Sequence, residues 1–129
     1  MKTIGELLDL RGKNAIITGA ANGIGKAISK RLAEAGCNLI LIDIDKQKLD
    51  IVAGDIRKEG YSVETHFLEL SEKDQIDQFW ETIDGKTVDI LVNNAGIYPF
   101  KDFMKLDYAY LEKVMQVNQL HYINYKQDF

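Results

Sequence analysis

The sequence predicts an α/β fold: a parallel sheet with helices on both faces, in a single domain spanning residues 1–129. Three observations predict it. Short apolar runs alternate with stretches of helical periodicity in the order β-α-β-α-β-α-β-α, which implies right-handed crossovers and a parallel sheet. The run Leu39-Ile40-Leu41-Ile42 is continuously apolar rather than alternating, as suits a strand covered on both faces. A glycine-rich turn, Thr18-Gly19-Ala20-Ala21-Asn22-Gly23-Ile24-Gly25, joins the first apolar run to the first helix. Strand, glycine turn and helix N-terminus in that order are how a dinucleotide site is built.

The elements follow in sequence. Residues 1–12 form a lead-in where Ile4, Leu7 and Leu8 are expected to pack, and Arg11-Gly12 turns into strand one, Asn14 to Thr18. The first helix, Ile24 to Ala35, carries Ile24, Ile28, Leu32 and Ala35 on one face, and Gly36 stops it. Strand two is Asn38 to Asp43. The second helix runs from Lys46 to Glu59 with Leu49, Val52, Ala53 and Ile56 on one face, and ends at Gly60. Strand three is Ser62 to Leu68. Ser71-Glu72-Lys73-Asp74 fits a capping box that starts the third helix, whose buried face is Ile76, Phe79, Trp80 and Ile83. Asp84-Gly85 ends it, and strand four is Val88 to Val92. A last helical stretch begins near Asp107 and carries Leu111, Val114, Met115 and Asn118.

Composition narrows the function. A net charge of −4 without a basic cluster argues against nucleic acid or an anionic membrane as partner. Met1 to Arg11 contain acids and no long apolar run, so they read neither as a signal peptide nor as a span. The single cysteine, Cys37, allows no internal disulfide, reads as a small core residue and points to a cytoplasmic protein. His66 alternates with apolar neighbours and has no metal-ligand cluster beside it, so it reads as structural and no metal is expected.

The glycine turn carries the chemistry. Gly19 takes the tight turn out of the strand, Gly23 lets the backbone approach a pyrophosphate, and Gly25 lets the helix lie close to the sheet. The helix start offers unpaired N–H groups and a partial positive charge. A phosphate loop of the G-x-x-x-x-G-K-[ST] type is excluded, because Ala20 and Ala27 stand where its first glycine and its hydroxyl belong. Asp43, at the end of strand two, is placed to accept both ribose hydroxyls of an adenosine and to repel a 2′-phosphate. With Asn22 rather than a basic residue in the turn, this favours NAD over NADP. The turn, Asp43, Glu69-Leu70 and Asn93 all fall at strand carboxyl ends, where ligands of such sheets bind.

Thr18-Gly19-x-x-x-Gly23-Ile24-Gly25, Asp43 and Asn93-Asn94-Ala95-Gly96 together resemble the short-chain dehydrogenase/reductases, over about Lys13 to Val117 or beyond. The resemblance implies a Rossmann-like sheet in the order 3-2-1-4, here cut off after strand four and its helix. It implies that Glu69-Leu70 is the adenine-contacting pair, with Glu69 replacing the usual Asp, and that Asn93 to Gly96 brace strand four and line the adenosine side. Ile97 would lie near the nicotinamide half, and Asn118 of Val117-Asn118 would support a water near the catalytic lysine. The family's serine and Tyr-x-x-x-Lys pair belong to a later strand and helix that are absent. Tyr122 and Lys126 imitate the pair but follow Asn118 on the same helix, and Lys126 would lie about 12 Å along the axis from Asn118. His121 departs from the small residue usual there.

The expectation is therefore an NAD(H)-dependent oxidoreductase acting on a small alcohol or carbonyl, represented by its cofactor-binding half and assembling as a homo-oligomer. The alternative is a catalytically silent NAD-binding module that self-assembles or pairs with a partner.

Overall fold

The computed structural model describes residues 1–97 and 103–120. Four strands, β1 (Asn14–Thr18), β2 (Asn38–Asp43), β3 (Val63–Phe67) and β4 (Ile90–Val92), form one parallel sheet in the order β3-β2-β1-β4. The helices are α1 (Ile4–Leu7), α2 (Gly23–Glu34), α3 (Lys46–Lys58), α4 (Lys73–Thr82) and α5 (Tyr108–Met115). A short 3₁₀ turn, Phe103–Lys105, precedes α5, and a π turn, Gln116–Leu120, follows it.

Strand alternation divides the core into two layers. Ile16 of β1 stands beside Ile40 of β2 and Leu91 of β4. Ile16, Ile40 and Ile42 face Ile76, Phe79 and Ile83 of the α4 layer. Ala15, Ile17, Leu39 and Leu41 face the opposite way, onto Ala33 of α2 and Leu49, Val52 and Ile56 of α3. Burial of β1 and β2 on both sides explains their continuous apolar runs. Cys37 is buried at the head of β2.

Four expectations are corrected. The sheet-facing side of α2 is Gly25, Ser29 and Ala33, whereas Ile24 is 72% exposed and Ile28 and Leu32 are half-buried. Small residues at i, i+4 and i+8 bring the helix axis close to the strands, which the larger residues could not do. The capping box at Ser71 does not form: α4 starts at Lys73 with Glu72 as its N-cap, and the Ser71 N–H turns back to the Glu69 carboxylate at 3.4 Å. In the lead-in, Thr3 and Glu6 cap a single helical turn, and Ile4, Leu7 and Leu8 are exposed instead of packed. Strands three and four are shorter than expected. Tyr122, Lys126 and His121 lie outside the described residues.

Candidate functional site

Because all four strands are parallel, their carboxyl ends share one side of the sheet. A cleft of about 460 Å³ opens there. Its floor is the turn from β1 into α2, and its walls come from the segments after β2, β3 and β4 and from α5.

Thr18 is the post on which the floor stands. Its hydroxyl, on a side chain 1% exposed, accepts from the N–H groups of Asn94 (3.0 Å) and Ala95 (2.9 Å). The Asn94 side-chain amide returns two bonds, to the carbonyls of Thr18 (3.2 Å) and Gly19 (3.3 Å). The ends of β1 and β4 are thus stitched together. That close approach needs glycine: a Cβ on Gly19, whose φ is +66°, would stand 2.9 Å from the Ala95 Cα. A Cβ on Gly25 would stand 2.1 Å from the Gly19 carbonyl oxygen.

Gly23 differs. Its φ is +53°, and a Cβ there would meet nothing within 4 Å. It is the first residue of α2, whose leading N–H groups have no partner within the helix. Bare backbone, free N–H groups and open space together fit the pyrophosphate of a dinucleotide. The fit is a property of the turn itself.

Asp43 lines the cleft beside this turn. Its Oδ2 accepts from the Ala21 N–H (3.0 Å) and its Oδ1 from the Asp45 N–H (3.0 Å). Each oxygen keeps a lone pair for a ligand hydroxyl, and the carboxylate holds the glycine turn to β2. Glu69 and Leu70 line the far wall. The Glu69 N–H donates to Gln75 Oε1 at 2.9 Å, which fixes the segment after β3.

At the other end of the cleft, Asn118 clamps Ile97. Its Oδ1 accepts from the Ile97 N–H and its Nδ2 donates to the Ile97 carbonyl, both at 2.7 Å. Asn118 lies within the π turn, so an irregular helix carries this cross-link. A Cβ on Gly96 would stand 3.3 Å from Asn118 Oδ1, which explains the small residue there.

Of the residues expected at the site, Gly19, Asn22, Ile24, Asp43, Glu69, Leu70, Asn94, Ala95, Gly96 and Ile97 line the cleft. Thr18 and Gly25 lie beneath it as supports, and Asn93 is exposed and off its wall. Asn118 acts through Ile97. Sequence reasoning missed Ile42, Ile44, Leu68, Lys113 and Val117, which also line it. Val117, next to Asn118 in the same dipeptide, is the one of these that the sequence marked. Among the described residues no three His, Cys, Asp or Glu side chains gather as a metal site, and no helix is long and apolar enough to cross a membrane.

A parallel sheet in the order β3-β2-β1-β4, with a glycine turn after β1, an acid ending β2 and a cleft across the strand ends, is a Rossmann-like α/β arrangement. The short chain dehydrogenase family profile matches residues 13–129. The L-rhamnose 1-dehydrogenase (NADP(+)) of Thermoplasma acidophilum is 38% identical over 125 residues, 90% of this chain and 47% of that protein. A short-chain type dehydrogenase/reductase from Mycobacterium marinum superposes with a TM-score of 0.82 at 28% identity, over 92% of this chain and 49% of that one. A metagenomic short-chain oxidoreductase in complex with NADP superposes with a TM-score of 0.78 at 33% identity, over 85% of this chain and 51% of that one. The chain belongs to the short-chain dehydrogenase/reductase family, and it spans about half the length of these relatives.

Proposed function

We propose that residues 1–129 are the cofactor-binding half of an NAD(H)-dependent oxidoreductase that interconverts an alcohol and a carbonyl. The α2 N-terminus takes the pyrophosphate and Asp43 takes the adenosine ribose. Asn94 to Gly96, braced through Thr18, line the adenosine side, and Ile97, clamped by Asn118, takes the nicotinamide half. The bound nicotinamide supplies hydride chemistry. This chain's residues bind and orient it. By the resemblance, the family's serine and Tyr-x-x-x-Lys pair belong to a later strand and helix, so we further propose that residues 1–129 alone turn over little or no substrate. Cys37, buried and single, supports a cytoplasmic setting.

One observation carries the choice of NAD: the Asp43 carboxylate lines the cleft at the end of β2, with Asn22 rather than a basic residue in the glycine turn. Its two bonds to the backbone fix its position, so it cannot swing away from an incoming 2′-phosphate without releasing the glycine turn. Four of the similar proteins are described with NADP or NADPH, and the difference proposed for this chain rests on that carboxylate.

Calorimetry of the purified chain with NAD and NADP tests the reading. NAD is expected to bind more tightly. Asp43→Asn, which removes the charge and keeps an acceptor, is expected to narrow the gap about tenfold, the effect of losing one repulsive contact of roughly 1.4 kcal/mol. Tighter NADP binding by the unmodified chain overturns the preference. NADH consumption against ketones and aldehydes tests the second part, and robust turnover overturns it.

A further inference from the structure

The β3 edge carries a contact for which neither the cleft nor the core has a use. Parallel pairing decides which backbone groups of β3 face β2. The Leu39 N–H of β2 donates to the Ser62 carbonyl at 3.0 Å, and Leu39 stands opposite Val63. Backbone groups alternate in direction along a strand. Glu64 and His66 therefore turn theirs to β2, whereas Val63, Thr65 and Phe67 turn theirs outward. Since β3 ends the sheet order, these outward groups lie along an edge. A strand added there would take the outward carbonyls as acceptors.

The Val63 carbonyl is closed to such a strand. Arg57, in the last turn of α3, donates to it from Nε at 3.2 Å and from Nη2 at 2.8 Å. Two donors on one planar guanidinium fill the acceptor capacity of one oxygen. Arg57 is otherwise exposed. An approaching strand would have to break charge-assisted hydrogen bonds and desolvate a cation in the same step. The ion pair of Glu64 with Lys86 and the stacking of Lys46 on Phe67 join side chains to side chains. Arg57 acts on the main chain itself.

The consequence is one of symmetry. A sheet with two open edges can pair β3 of one copy with β4 of the next. That contact is head-to-tail, does not close, and grows into filaments. With β3 barred, sheet pairing is confined to β4 against β4 about a twofold axis, which closes at two copies.

We propose that Arg57 is an edge guard: by capping the Val63 carbonyl it bars a second copy of this chain from adding to β3. The role is independent of cofactor binding.

Sedimentation velocity on the whole chain over a range of concentrations tests it. Arg57→Met keeps an apolar stem and removes the donors. Its larger species are expected at concentrations lower by on the order of tenfold than those of the unmodified chain, the size of one hydrogen bond from a charged donor. The Val63, Thr65 and Phe67 amides are expected to gain protection from hydrogen exchange as those species form. Arg57→Lys, which returns a charged donor without the fork, is expected to fall between. Thr65→Pro removes an outward N–H and leaves the bonds to β2 intact. The double variant of Arg57→Met with Thr65→Pro is therefore expected to behave like the unmodified chain. Loss of a merely local tie between α3 and β3 would lower the melting temperature without that reversal. Circular dichroism melts show which variants are folded, and Arg57→Gln replaces Arg57→Met if the latter is not. The guard is overturned if folded variants lacking the guanidinium keep the mass distribution of the unmodified chain, or if their growth survives Thr65→Pro. It is overturned equally if the unmodified chain itself grows without limit while its β3 amides become protected.

Discussion

The two edges of the sheet are finished differently. At the β3 edge, Glu64 and His66 face the α4 layer beside Ile40 and Ile42 of β2. Glu64 pairs with Lys86 and, at 2.6 Å, with His66 Nε2, while the His66 ring stands edge-on to Phe79 with centroids 5.0 Å apart. On the other face, the Lys46 ammonium sits 5.1 Å from the centre of the Phe67 ring. Charged groups at an edge discourage further strand pairing. At the β4 edge, Ile90, Leu91 and Val92 are half-buried and all apolar. The chain supplies its own boundary on one side and a surface that needs covering on the other. The cleft straddles this divide: one end leans on the finished side, and the other leans on the segment after β4 and on α5.

One expected effect follows directly from the unfinished edge. The Asp89 N–H donates to the Asn14 carbonyl of β1, so alternation turns the N–H groups of Ile90 and Val92 outward. Self-association through β4 is the expected behaviour of the isolated chain, consistent with a homo-oligomer. Ile90→Pro removes an outward donor at a position that gives no bond to β1. It is expected to raise the concentration at which oligomers appear by about tenfold or more in light scattering, allowing roughly 1.4 kcal/mol or more for the lost pairing. A monomeric unmodified chain at high concentration would remove the contrast between the edges.

A second pair of substitutions asks whether the two ends of the cleft differ in rigidity. Gly25→Ala drives a methyl to 2.1 Å from a backbone oxygen. With α2 and β1 buried against each other, it is expected to cost about 3 kcal/mol in urea unfolding and to abolish dinucleotide binding. Asn118→Ala removes two hydrogen bonds to Ile97, worth about 2 kcal/mol together. Its cost is expected to fall locally: hydrogen exchange in residues 108–118 rises while β1 and β2 amides keep their protection. Equal acceleration everywhere would mean that α5 is as integral to the fold as α2.

How much of this was legible in the sequence follows the same divide. β1, β2 and α3 appear where their apolar patterns put them, because local periodicity and burial agree there. The face of α2 was misread because hydrophobicity marks Ile24, Ile28 and Leu32, whereas the sheet selects for smallness at Gly25, Ser29 and Ala33. Ser71 looked like a cap because the motif is local, but Glu69 and Gln75 had already claimed the turn. That the glycine turn, Asp43 and Asn94 to Ile97 meet at one cleft was legible because each falls at a strand carboxyl end and a parallel sheet brings those ends to one side. Lys113 was not, because its partner Glu69 lies 44 positions away and only the fold brings α5 over the end of β3. The π turn that aims Asn118 has no signature of its own.

The smallest expected effect lies at the finished edge. Burial by itself raises the pKa of Glu64, but hydrogen bonds from Lys86 and His66 outweigh it and hold the carboxyl below its ordinary 4.5. A carboxylate depressed on folding contributes stability that is present above its unfolded pKa and lost as pH falls through the folded one. The contribution of Glu64 should therefore be full above about pH 4.5 and decline below it. The side chain is 39% exposed, so solvent screening keeps the contribution under about 1 kcal/mol. Glu64→Gln keeps the shape and removes the titration. The other carboxylates titrate in both proteins, so the informative quantity is the difference between the two urea midpoints, measured near pH 6 and again near pH 3.5. That difference is expected to favour the unmodified chain at the higher pH and to shrink at the lower. A difference that stays constant across the interval would show that the Glu64 charge does not stabilise β3. The β3 edge would then owe its finish to the packing of His66 on Phe79, and the two edges would differ in shape more than in charge.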